Sequence, residues 1–264
     1  MRLVLAGISS VTDVSVAQTL LRQVHAALHR FTDPAWRPTG LAEAAAALRG
    51  LLERAEPGSD TQLAYMQAFA EMATSPADMA LLAGLLDGTT SIDGLVIDTE
   101  LRWRLLHRLV SRAAAGYPEI AAELDRDATD AGARRAATCR ASVPDPEAKE
   151  EAWELIVSGT LPNATFRAML VGFADDDQPA LLAPYHARYF EVVPRIWRDW
   201  APDMARRFVS YAYPMTDSPA VISATSDLID SSDLPPGLVR LLIEGRDGLR
   251  RALRCQELDR RAAR

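Results

Sequence analysis

Proline recurs in this sequence at one kind of place: just inside a prospective helix, after a residue that can cap it. Ser75-Pro76-Ala77-Asp78 sets a hydroxyl at the N-cap, proline at the first helical position and a carboxylate at the third. Proline lacks an N–H and holds φ at about −65°, so within a helix it is tolerated in the first turn, where amides have no intrahelical acceptor. The hydroxyl and carboxylate meet those orphan amides and the positive end of the helix dipole. Asp145-Pro146-Glu147 and Ser218-Pro219 repeat the device, and Tyr117-Pro118-Glu119 and Ala201-Pro202-Asp203 are weaker versions. A chain punctuated in this way is committed to many separate helices.

Between the starts run apolar stripes at helical spacing, such as Leu101, Leu105 and Leu109 flanked by Leu106 and Val110, then ended by Gly116. Leu63, Met66, Phe69 and Ala70 form another, and Phe166, Met169, Leu170 and Phe173 a third. The pattern predicts helices near 13–30, 41–55, 61–73, 76–87, 99–115, 118–130, 132–141, 146–158, 163–174, 178–199, 203–212, 218–230 and 235–261. The best strand candidate, Leu95-Val96-Ile97, is only three residues long. Aromatic residues are 6% of the chain against 48% hydrophobic overall, so the apolar content is mostly aliphatic, as in closely packed helices. Short helices joined by short connections pack as antiparallel hairpins. The expected fold is therefore all-α: a HEAT/armadillo-like α-solenoid of antiparallel helix hairpins, forming one helical-repeat domain over 1–264. The irregular stretches Phe31 to Gly40 and Asp87 to Asp98 are expected to be loops within that array.

The net charge of −7 argues against general affinity for nucleic acid or anionic membranes, both of which need clustered cations. No stretch approaches the roughly 20 apolar residues of a membrane helix. The first residues, with Asp13 soon after a short apolar run, make a poor signal peptide, and a cytoplasmic setting is expected. Lys149 is the only lysine, an arginine preference read first as coding bias. Cys139 and Cys255 sit in no CxxC or Cys/His pattern and read as free thiols.

The sharpest candidate for chemistry is His25-Ala26-Ala27-Leu28-His29, because two histidines four apart share a helix face and can share a zinc ion. A peptidase built on that pair needs a glutamate directly after the first histidine to activate water, and another farther along as third ligand. Those positions hold Ala26 and Leu48, so no metal site is expected. His107 and His186 have no nucleophile motif to serve, and the chain contains no dinucleotide or phosphate-binding glycine loop. Asp175-Asp176-Asp177 lacks the alternating ligands and glycine of a calcium loop and reads as an inter-helix turn supplying an N-cap. Two arginine groups remain: Arg102 and Arg104 around Trp103, and Arg246, Arg250, Arg251 and Arg254 near the C-terminus. A guanidinium fork suits a carboxylate such as a peptide's C-terminus, which makes Arg102, Trp103 and Arg251 candidate peptide contacts. The simpler reading pairs these arginines with neighbouring acidic helices and helix dipoles.

The ordered segments Thr12-Asp13-Val14 to Gln18-Thr19-Leu20-Leu21, Asp98-Thr99-Glu100-Leu101-Arg102-Trp103-Arg104-Leu105-Leu106 and Arg251-Ala252-Leu253-Arg254-Cys255-Gln256-x-x-Asp259 resemble the C-terminal region of the actinobacterial aminopeptidase N enzymes of the M1 family. The resemblance implies a helical domain of HEAT-like repeats that closes over a zinc-bearing catalytic domain and governs which peptides reach it. It implies zinc in that other domain and no cofactor here, since neither the exopeptidase motif nor the zinc motif occurs in this sequence. The implied partners are the catalytic domain of the same enzyme and peptide substrates. Arg2-Leu3-Val4-Leu5-Ala6 reads as the middle of a helix without a cap, as an internal boundary of a longer chain would. Two other functions stay open: a free-standing helical-repeat adaptor that binds another protein, and an enzyme whose site is assembled from scattered residues.

Overall fold

A computed structural model describes residues 1–231 and 233–262. Among them are fourteen α-helices, one 3-10 turn, one π-helical turn and no strand, so the fold is all-α. The chain divides into two compact units, Met1–Ala115 together with the chain from Gln256 onward, and Gly116–Cys255.

The first unit holds α1 (Arg2–Gly7), α2 (Val14–Ala26), α3 (Arg37–Arg54), α4 (Asp60–Met72), α5 (Pro76–Asp87) and α6 (Thr99–Ser111). Asp13 caps α2 through Oδ1, which accepts from Ser15 and Val16 N–H. Ser75 and Asp78 form the reciprocal capping box expected of their spacing. The core is aliphatic, with Leu21 and Leu28, Leu48 and Leu52, Met66 and Met72, and Leu82 all nearly or fully buried. Burial of each such side chain contributes roughly 1.5 to 3 kcal/mol. Gly40 in α3 admits the Trp36 ring, which a Cβ there would strike.

Two expectations need correction in this unit. The helix predicted over 13–30 is α-helical only to Ala26, then widens into a π turn over Ala27–Phe31. The loop predicted for 31–40 is helical from Arg37, with Pro38 again in the first turn; Trp36 at the N-cap offers no oxygen, so the usual signal is missing. The stretch from Gly88 to Asp98 is irregular, as expected, and Leu95-Val96-Ile97 forms no strand. Gly94, at φ 73°, lies so close to Pro57 and Gly58 that a Cβ would overlap their backbone, while Gln62 Nε2 donates to Asp93 O (2.9 Å).

The second unit holds α7 (Tyr117–Arg126), α8 (Asp130–Ala141), α9 (Pro146–Val157), α10 (Asn163–Phe173), α11 (Pro179–Asp199), α12 (Pro202–Tyr211), α13 (Ala220–Ser231) and α14 (Pro236–Ala262) up to Cys255. Here α13 starts two residues later than Ser218-Pro219 predicts, because Pro219 supplies the carbonyl that the first amides need. Packing runs mainly between helices one or two apart in the chain: α7 on α8, α8 on α9 and α10, α9 on α10 and α11, α10 on α12, and α11 on α12 and α13. That order of contacts is the one stacked helix pairs produce. α11 runs through Pro184 and Pro194, each costing about 3 kcal/mol in a helix interior. The stripe Tyr185, Tyr189, Val193 and Ile196, buried on one face, offsets that cost.

Candidate functional site

The arginines of α6 work on the helices beside them. Arg102 Nη1 donates to Leu86 O (2.9 Å) in the last turn of α5, and Arg108 Nε donates to Ala73 O (2.8 Å) at the C-cap of α4. Terminal carbonyls lack intrahelical donors and carry the negative end of the dipole, so a guanidinium satisfies both the hydrogen bond and the charge. Arg104 pairs with Glu71, and Trp103 between them is 3% exposed. Arg102 and Trp103 therefore lie together in the packing of α6, while the third singled-out residue, Arg251, belongs to the second unit and is exposed.

The only lysine does for α8 and α10 what those arginines do for α4 and α5. Lys149 is 0% exposed, with Nζ 2.7 Å from Ala141 O, 3.2 Å from Phe173 O and 3.5 Å from Gly172 O. Burial pushes its ammonium down to about 8, against the opposing pull of Asp175.

On α14, Arg240, Glu244, Asp247 and Arg251 recur at intervals of three and four, which places them along one face. At the Arg240 end of that face lies a cavity of about 570 Å³ with contributions from α11, α12 and α14. Gly237 brings the α14 backbone against Trp197; a Cβ there would sit 3.1 Å from the indole. Trp197, Ala205 and Leu241 line it with apolar surface, and Arg206 and Arg240 stand beside them. Arg206 reaches Asp203 at 3.7 Å and Arg240 reaches Glu244 at 3.3 Å, both exposed pairs one helical turn apart. Such pairs contribute only about 0.3 to 0.5 kcal/mol, so either guanidinium can exchange its partner for a ligand carboxylate. The size and lining suit an apolar side chain accompanied by a carboxylate. Sequence reasoning missed Trp197, Arg206 and Arg240, because they lie on three helices and meet only after folding.

The remaining sequence candidates gather no chemistry. The His25 and His29 rings lie with centroids 4.3 Å apart and planes tilted by 37°, and Leu48 is fully buried in the core. Among the described residues no three His, Cys, Asp or Glu side chains are arranged to hold a metal ion. Burial lowers the His186 pKa, and it pushes the Cys139 thiol up to about 12; both cysteines are free thiols. In the aspartate run, Asp175 Oδ1 accepts from Asp177 N–H (2.9 Å), and Gln178 rather than an aspartate takes the N-cap of α11. No described helix is long and apolar enough to cross a membrane.

A family model described as the ERAP1-like C-terminal domain matches residues 1–251. The chain is also 43% identical over 263 residues to an aminopeptidase N of Streptomyces lividans, covering 99% of this chain and 31% of the relative. It thus spans a little under a third of that relative's length.

Proposed function

We propose a function from one premise: this chain belongs to the ERAP1-like C-terminal domain family. It acts as the non-catalytic C-terminal domain of a cytoplasmic zinc aminopeptidase, capping the chamber of the catalytic domain and controlling which peptides enter. The observation that carries this reading is identity across nearly the whole chain to just 31% of an aminopeptidase N, in a sequence lacking the residues that would bind zinc and activate water. The zinc then belongs to the catalytic domain, which is the principal partner. Because the family match runs through both compact units, we read them as one functional domain.

Such a domain acts by positioning and exclusion, holding the distant part of a peptide while chemistry proceeds elsewhere. We assign peptide contact to the exposed face of α14, with Arg251 and the Trp197 cavity offering a guanidinium and an apolar seat. Arg102 and Trp103 contribute by holding α6 in place.

The test is reconstitution. Added to the separately expressed catalytic domain of its own enzyme, the chain binds and alters peptide turnover while hydrolysing nothing alone. Arg251→Ala then raises KM for long peptides more than for a single amino-acid amide, by the equivalent of about 1 to 3 kcal/mol, with kcat nearly unchanged. Equal effects on both substrates remove Arg251 from peptide contact. No association at micromolar concentration favours the free-standing adaptor instead, and hydrolysis by the isolated chain overturns the reading altogether.

A further inference from the structure

The closest helix packing in the second unit is between α8 and α10. Thr138 Oγ1 donates to Ala168 O (3.1 Å), and Gly172 lies so near Thr138 O that any Cβ would overlap it. Helices drawn this close leave a shallow open groove of about 420 Å³, floored by small side chains such as Ala131 and Ala168 and ending at Val171, which is 66% exposed. Three arginines stand along it: Arg134 and Arg135 from α8, Arg167 from α10. Buried Asp127 lies 3.4 Å from Arg135 and offsets one charge. Among the described residues Arg134 and Arg167 have no carboxylate partner, in a chain whose net charge is −7.

From this juxtaposition we infer that the α8–α10 groove is a docking surface for an acidic peptide segment of another polypeptide. Guanidiniums spread along two helices meet several carboxylates in sequence, where a single small anion would need donors that converge. A floor of alanines lets a backbone approach closely, and Val171 offers one apolar contact at the end. Nucleic acid fits poorly, since the groove has no aromatic ring on which a base can stack. The inference rests on charge and packing alone and stands apart from the aminopeptidase reading.

Fluorescence anisotropy with the whole chain tests it, using a labelled decapeptide of alternating Glu and Ala. Binding is expected that weakens with salt, falls at least tenfold in the Arg134→Ala/Arg167→Ala double variant, and falls severalfold in Val171→Glu, with unchanged thermal melting in both. Arg49→Ala, on α3, is expected to bind as the parent does. Equal binding of an alternating Lys and Ala decapeptide overturns the inference, as does binding that survives the double substitution. Tighter binding of a deoxythymidine oligonucleotide, lost with the same arginines, or displacement of the peptide by millimolar inorganic phosphate, reassigns the groove to phosphates and equally overturns it.

Discussion

The two units are made of similar helices but filled differently. The first packs mainly leucine, alanine and methionine, with Tyr65, Phe69 and Trp103 as its buried aromatic rings. The second gathers Trp153, Phe166, Phe173, Tyr185, Tyr189, Phe208 and Tyr213, with neighbouring centroids 5.0 to 6.1 Å apart. Its tyrosines carry hydroxyls inward: Tyr189 donates to Val209 O (2.7 Å), and Tyr213 shares a 2.7 Å hydrogen bond with Thr225. Burial raises the pKa of both. An aliphatic interior is held mainly by shape, whereas one built on rings and polar tips also gains directionality from its hydrogen bonds.

The largest expected effect tests the packing contrast. Phe208→Ala removes a ring that contacts Trp153, Tyr189 and Trp200, and should cost about 4 kcal/mol in urea unfolding. Leu48→Ala in the first unit should cost about 3 kcal/mol. If the leucine costs more than the phenylalanine, the ring network adds nothing beyond area.

Next comes the protonation contrast. The folded pKa of Lys149, about 8, lies below its ordinary value of 10.5, so over that interval the unfolded chain binds the extra proton and stability rises with pH. Relative to Lys149→Met, the parent should gain at most about 3 kcal/mol as pH climbs through that window. A difference that stays flat with pH would mean the ammonium is not disfavoured by burial.

Arg102→Ala should cost about 2 kcal/mol, as expected for a charged donor removed from a half-buried carbonyl. A loss below about 0.5 kcal/mol, the level of a surface substitution, would return Arg102 to the list of ligand contacts. Smallest is Tyr189→Phe, about 1 kcal/mol, from the hydrogen bond to Val209 O. An unchanged midpoint there would leave the second core as shape-determined as the first.

Much of this was legible wherever a cap and a stripe coincide. Ser75 and Asp145 announce α5 and α9 because the capping oxygen and the amide it satisfies lie within three residues. Where the determinant is distant, the pattern fails. The opening of α3 hides behind Trp36, whose ring is seated by Gly40, and nothing near Arg102 in the sequence announces its hydrogen bond to Leu86 O. The groove arginines Arg134, Arg135 and Arg167 carry no local signal, since what sets two of them apart is having no carboxylate partner among the described residues after folding.

Lys149 has one more consequence. Lysine amines are the usual handles for acylating reagents and for enzymes that attach acetyl or ubiquitin, and this chain holds its only one with no surface showing. Acylation of that side chain must wait for α9 to come away from the ends of α8 and α10. The rate of its labelling therefore counts local openings of the second unit, a built-in clock that needs no engineered probe.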